Sequence, residues 1–91
     1  MNKTIITVVG KDTVGIIAKV CTYLADSQIN ILDNLPRPSY RSFFNMMMIV
    51  DMDHANKPFG TICDDLEKLG EEIGVRIKCQ REEIFTKMHR I

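Results

Sequence analysis

The residues with the clearest chemical potential lie in one short stretch, Val8-Val9-Gly10-Lys11-Asp12-Thr13-Val14-Gly15-Ile16-Ile17. Two glycines bracket a change of pattern: before Gly10 the residues read as a strand, and after Gly15 they read as a helix. Glycine reaches torsions closed to other residues and lets a small group approach the main chain without meeting a Cβ. Asp12 suits an N-cap, its carboxylate able to accept from the amides of Val14 or Gly15. Such a turn gathers unbonded amides and the positive end of a helix dipole at one spot, and that spot favours an anion. The stretch lacks the Lys-Ser/Thr of a P-loop and the third glycine of a dinucleotide fingerprint, so a plain capped turn also fits it.

Other reactive groups are sparse. Cys21, Cys63 and Cys79 include no C-x-x-C pair, and each falls on an apolar stripe, which predicts buried reduced thiols rather than disulfides or a zinc site. Nucleophilic catalysis needs a base within hydrogen-bond reach of the nucleophile, and the histidines, His54 and His89, stand near no cysteine in sequence. Asp51, Asp53 and His54 could ligate a divalent cation, but read more simply as a solvated turn after a strand. No catalytic residue, metal ligand or cofactor is therefore assigned, and the chain is not expected to be an enzyme.

Composition narrows the partners. Ninety-one residues suit one compact domain, with a core over 1–81 and a tail over 82–91. Twelve basic and twelve acidic side chains cancel, which removes the electrostatic footprint of a nucleic-acid or anionic-membrane binder. The longest wholly apolar run, 46–50, is far short of a membrane span, and the first residues carry no signal-peptide core. A cytoplasmic location is expected.

The elements that must position the turn follow from periodicity. Residues 4–9 are β-branched throughout, with both alternating sets fit for burial, as in a central strand. Ile17, Val20, Cys21 and Leu24 recur at helical spacing, predicting a helix over 14–27 with no glycine at its end. Asn30-Ile31-Leu32-Asp33 opens a second strand, while Pro36, Arg37 and Pro38 predict an irregular edge or long loop over 34–42. Residues 43–52 return to strand, with Phe43, Asn45, Met47 and Ile49 on one face and Phe44, Met46, Met48, Val50 and Met52 on the other. Asn56 is the expected N-cap of a second helix, with Pro58 in its first turn, Phe59, Ile62, Leu66, Leu69 and Ile73 on its apolar stripe and Gly74 closing it. Val75, Ile77 and Cys79 alternate with Arg76, Lys78 and Gln80, the mark of an edge strand.

The order β-α-β-β-α-β predicts an α+β, ferredoxin-like βαββαβ sandwich. Its four-stranded antiparallel sheet has two helices on one face and the first and third strands in the centre. Ile84, Phe85, Met88 and Ile91 could share one face of a short C-terminal helix. Helices cover only one side of the sheet, so the other side, expected to be apolar and rich in methionine, needs a cover. A homodimer is predicted, with the tail packed on the sheet or against the partner. RNA-recognition domains use this topology too, and Arg41-Ser42-Phe43-Phe44 stands where their motif begins. The required glycines and a first-strand aromatic are absent, so no nucleic-acid partner is expected.

The strand ending in Gly10, the Lys11-Asp12-x-x-Gly15 turn, the apolar helix and the Asn30-Ile31 strand opening together resemble the ACT domain, a small-molecule-sensing module. The resemblance spans essentially the whole chain, and the ending from Gln80 to Ile91 looks like stand-alone ACT proteins of bacteria and archaea. The ACT part is also similar to the sensory regions of formyltetrahydrofolate deformylase and of a regulator of glycine cleavage. What the resemblance implies is a regulatory domain that binds an amino acid or related metabolite between two copies. The ligand would meet Gly10, Lys11, Asp12, Thr13, Val14 and Gly15 of one copy and Asn30 and Ile31 of the other. Loop amides would hold its carboxylate, and Asp12 or the Asn30 side-chain carbonyl its ammonium. The competing expectation is a protein-interaction module with no ligand. Thr13-Val14 stands where many members carry a basic residue and a proline, and Pro36-Arg37-Pro38 departs from the usual second strand.

Overall fold

A computed structural model describes residues 3–11, 15–36 and 43–81. The elements run β1 (Lys3–Lys11), α1 (Ile16–Asp26), β2 (Asn30–Pro36), β3 (Phe43–Asp51), α2 (Phe59–Ile73) and β4 (Val75–Arg81). The strands form one antiparallel sheet in the order β2-β3-β1-β4. The two β-branched or doubly apolar strands take the centre, as their sequences require, and β4, with Arg76 and Lys78 exposed, takes an edge. The expected C-terminal helix lies outside the described residues.

Alternation along each strand splits the sheet into two faces. Ile6 and Val8 of β1, Met46, Met48 and Val50 of β3, and Val75 and Ile77 of β4 join Ile16, Val20 and Leu24 of α1 and Ile62 and Leu66 of α2 in one buried core. The opposite face carries Thr7 and Val9 of β1 and Phe43, Asn45, Met47 and Ile49 of β3, beside Arg76, Lys78 and Gln80 of β4. That face is less rich in methionine than expected, because Met46, Met48 and Met52 all turn inward. Its apolar content is a strip in which Val9 is exposed and Phe43 is 54% exposed.

Several local expectations are corrected. α1 starts at Ile16, not Val14, and buries Ile16, Val20 and Leu24, while Ile17 is 47% exposed. The stripe thus keeps the expected Val20 and Leu24 but takes Ile16 in place of Ile17, and the steps of four from Ile16 to Val20 to Leu24 are followed by a step of three to Ser27, which is also buried. β2 runs on to Pro36 rather than breaking at Asn34, and absorbs a bulge between Ile31 and Asp33. An edge strand tolerates both, since within one chain its outer side forms no ladder that a proline could interrupt.

Asn56 does not cap α2. Its side chain donates to the Asp26 carbonyl at 3.1 Å and its amide to the Ser27 carbonyl at 3.0 Å, tying the loop before α2 to the end of α1. Pro58 takes the cap position in extended conformation instead of the first helical turn, and its carbonyl accepts from Ile62 at 3.1 Å. Gly74 ends α2 in the left-handed conformation, as expected of its sequence position. α1 reaches the same geometry without glycine. Gln28 sits at φ 59, its amide bonds to Ala25 at 3.0 Å, and the Ile29 amide reaches back to Leu24 at 2.9 Å.

Candidate functional site

β1 and α1 together fix where the glycine turn lies. β1 ends with Gly10 opposite Phe44 of β3 and Val75 of β4, and Lys11 opposite Phe43. Gly15 caps α1, and its carbonyl accepts the first helical bond, from Lys19 at 2.9 Å. The amides of Ile16, Ile17 and Ala18 precede that bond and have no acceptor within the helix. No acidic residue occupies the first turn of α1, so the positive end of its dipole carries no neutralising side chain from within the helix. Asp12, Thr13 and Val14 lie outside the described residues, so the expected Asp12 cap is not among them; Gly15 holds the cap position.

The two glycines have different reasons to be glycine. At Gly15 φ is +88°, and an added Cβ would meet nothing within 4 Å, so the residue is required by torsion and faces open space. At Gly10 an added Cβ would lie 2.7 Å from the Val75 Cα and 2.9 Å from its Cγ1. The group that approaches the Gly10 main chain is the protein's own β4.

Asn30 and Ile31 are not brought to this turn within one chain. Asn30 pairs with Asp51, which pairs with Lys3 at the start of β1, so Asn30 stands in the first row of the sheet and Gly10 in the row of Phe44. Seven residues of β1 separate those rows, roughly 23 Å at about 3.3 Å per residue. α1 contacts β2 and α2 contacts β4, and Gly15, four residues after the end of β1, stands at the end of the sheet where Gly10 pairs with Phe44, opposite to the end that carries Asn30. Ile31, Leu32 and Leu35 of the edge strand β2 are exposed apolar residues, as is Ile17 of α1.

Several other polar groups are committed locally. Tyr23 of α1 donates its hydroxyl to Asp65 Oδ2 of α2 at 2.7 Å, and Lys57 Nζ stands 3.2 Å from the same oxygen. The Tyr23 hydroxyl and then Lys57 hold the Asp65 carboxyl below its ordinary value. Burial, then the bond to Asp65, pushes the Tyr23 phenol up. These three side chains clasp the two helices together. Asp51 Oδ1 accepts the Asp53 amide at 2.9 Å, so one carboxylate of the Asp51-Asp53-His54 group is used in its own turn. Among the described residues no three His, Cys, Asp or Glu side chains converge as a metal site, and no helix is long and apolar enough to cross a membrane.

Periodicity gave no sign of one further feature, an open groove of about 780 Å³ between α2 and β4. Glu67 and Glu71 line one wall, Arg76, Lys78 and Gln80 the other, and Cys63 and Cys79 also border it. The signal for it was present in Gly70, where an added Cβ would lie 2.6 Å from the Val75 carbonyl oxygen, so α2 and β4 meet closely there.

Known proteins match this architecture along the whole chain. The family model described as "ACT domain" matches residues 2–80. A UPF0237 protein of Bifidobacterium longum is 64% identical over 91 residues, all of both chains, and one of Methanocaldococcus jannaschii is 41% identical over the same span. An ACT domain protein from Streptococcus pneumoniae superposes with a TM-score of 0.80 at 36% identity, covering 92% of this chain and 93% of that one. A formyltetrahydrofolate deformylase from Pseudomonas syringae shares the fold over 89% of this chain and 28% of its own, with a TM-score of 0.80 at 20% identity. With the strand order, the glycine-bordered turn and a match that runs from end to end, the chain belongs to the ACT domain family.

Proposed function

We propose that this protein is a non-enzymatic, cytoplasmic regulatory domain that binds an amino acid or a related small metabolite where two copies meet. The supporting observation is the sheet register, which holds Asn30 roughly 23 Å along the sheet from the row of Gly10. Residues so far apart in one chain can share a small ligand only if a second copy supplies one of them.

Antiparallel pairing of two β2 edges about a two-fold axis does this. It sets the Asn30 end of the second copy beside the Pro36 end of the first, the end at which α1 begins. The same pairing covers Ile31, Leu32, Leu35 and Ile17 and extends the sheet across both copies. In that cleft the amides at the start of α1, with Gly10, Lys11, Asp12, Thr13 and Val14 beside the open Gly15, hold the carboxylate of the ligand. Asp12 and the second copy's Asn30 side-chain carbonyl hold its ammonium, and Ile31 of that copy packs on its carbon skeleton. Binding draws on both copies, so it favours the dimer and changes which surfaces are open to other proteins.

A thermal-shift screen against the twenty amino acids tests the reading. A ligand at about a hundred times its dissociation constant adds roughly 2.7 kcal/mol, enough to raise the midpoint by more than about 5 °C in a domain of this size. Asp12→Ala and Asn30→Ala should each abolish the shift and leave the dimer intact. Flat curves throughout would replace this reading with a protein-interaction module that takes no ligand.

A further inference from the structure

We infer that Cys63 and Cys79 are a redox pair that closes to a disulfide under peroxide, stapling α2 to the edge strand β4. The two residues come from different elements and meet at the border of the α2–β4 groove, where Cys63 Sγ lies 3.8 Å from the Cys79 carbonyl oxygen. Cys79 is on the helix-facing side of β4, opposite Ile6 of β1, and Cys63 is on the side of α2 that rests on that strand. Both are free and only half-buried, so a small oxidant reaches them from the groove. Cys21 belongs to α1, on the other side of the helix layer.

The surroundings assign the roles. Burial raises both thiols above the ordinary thiol value, strongly at Cys79, where the hydrogen bond with Cys63 adds to the rise. At Cys63 that hydrogen bond acts against the rise, the negative charge of Asp64 adds to it, and the positive charge of Arg81 opposes it, leaving the thiol above its ordinary value. Cys63, the less strongly raised of the two thiols, is assigned as the attacking sulfur and Cys79 as the resolving one. The Cys63 thiolate attacks one peroxide oxygen; the O–O bond breaks, Cys63 becomes a sulfenic acid, and the other oxygen leaves as water after taking up a proton. Cys79 then attacks the sulfenic sulfur, the S–O bond breaks, and a second water leaves as the disulfide forms. Two thiols are oxidised by two electrons and one peroxide is reduced. Closing the bond requires the two side chains to turn their sulfurs toward each other to about 2.05 Å.

The inference is independent of the proposed amino-acid site, and its test needs no ligand. The full chain is treated with hydrogen peroxide well below its unfolding midpoint, quenched with N-ethylmaleimide and analysed by intact mass and non-reducing peptide mapping. The expected result is one remaining alkylated thiol at Cys21 and a linked peptide pair containing Cys63 and Cys79. The unfolding midpoint should rise by at least about 5 °C, reversed by dithiothreitol. In Cys79→Ser, Cys63 should stop at the sulfenic acid and be trapped by dimedone. Alkylation of all three thiols after treatment, a linkage to Cys21, or a linkage between two chains would overturn the inference.

Discussion

Val75 closes over Gly10 so tightly that a Cβ added at Gly10 would stand 2.7 Å from the Val75 Cα. Gly70 of α2 meets the same residue from the other side, an added Cβ there lying 2.6 Å from the Val75 carbonyl oxygen. Both distances are below any ordinary Cβ contact and both obstacles are backbone, so neither yields by a side-chain rotation. β1, α2 and β4 are thereby locked together at the end of the sheet that carries the turn. Gly10→Ala should lower stability by about 2 kcal/mol, within the range for overpacking, read as a lower urea midpoint at unchanged slope. A midpoint equal to that of the unaltered protein would mean that β4 gives way freely.

Gln28 stands where most helices of this ending place glycine, at φ 59 with two backbone bonds closing the end of α1. Its Cβ carries the strain of the left-handed conformation, about 1–2 kcal/mol, partly offset by the greater freedom of glycine in the unfolded chain. Gln28→Gly should therefore stabilise the protein by about 0.5–1 kcal/mol, measured by chemical denaturation. Loss of stability would show that the Gln28 side chain contributes more than its backbone strain costs.

The Tyr23-Asp65-Lys57 clasp predicts a pH signature. Asp65 has its carboxyl held below the ordinary 3.8 by the Tyr23 hydroxyl and then by Lys57, so its charged form is favoured in the fold. That contribution is present above the unfolded value and is lost as pH falls through the folded one. The Tyr23 phenol is raised above its ordinary 10.0, so its contribution holds below that pH and is lost as pH rises through the folded value. Asp65→Asn should flatten the acid side of the stability profile below about pH 4 and leave the neutral region flat. An acid limb identical to that of the unaltered protein would remove Asp65 from this role.

How much of this was legible in the sequence depended on whether one element or two decided a residue. Central and edge strands were readable because alternation reports burial on each face directly, as in Ile6 and Val8 against Arg76 and Lys78. Gly74 was readable because a helix end makes a local demand. The reason for Gly10 was not, since it lies in Val75, sixty-five positions on. The same holds for Asn56, which looked like a cap and is instead a tie to Asp26. The α1 stripe was misread by one residue because Ile16 and Ile17 are equally apolar, and only the entry angle fixed by Gly15 decides which of them is buried. The turn over 10–15 stood out from its own residues, whereas Asn30 and Ile31 joined it only through the resemblance, and alternation alone did not show that the register holds Asn30 away from Gly10.

Leu35 tests the proposed edge. It is exposed on β2, opposite Met47, and a lysine there places a charge on the strand that pairs two copies in the proposed dimer. Leu35→Lys should convert a dimer to a monomer at micromolar concentration in light scattering while preserving the circular dichroism spectrum. A dimer unchanged in size would move the interface off β2.

The central claim, a site completed by two copies, is tested most directly by mixing two inactive proteins. Asp12→Ala and Asn30→Ala are each titrated calorimetrically with the amino acid identified in the screen, then unfolded, combined in equal amounts and refolded together. Each alone should bind nothing. In the mixture, half the dimers join one chain of each kind, and in these one of the two sites has an intact turn from one chain and an intact Asn30 from the other. About a quarter of the original capacity should return, at the original affinity. A mixture as inactive as its components would place every binding group within a single chain and contradict the account.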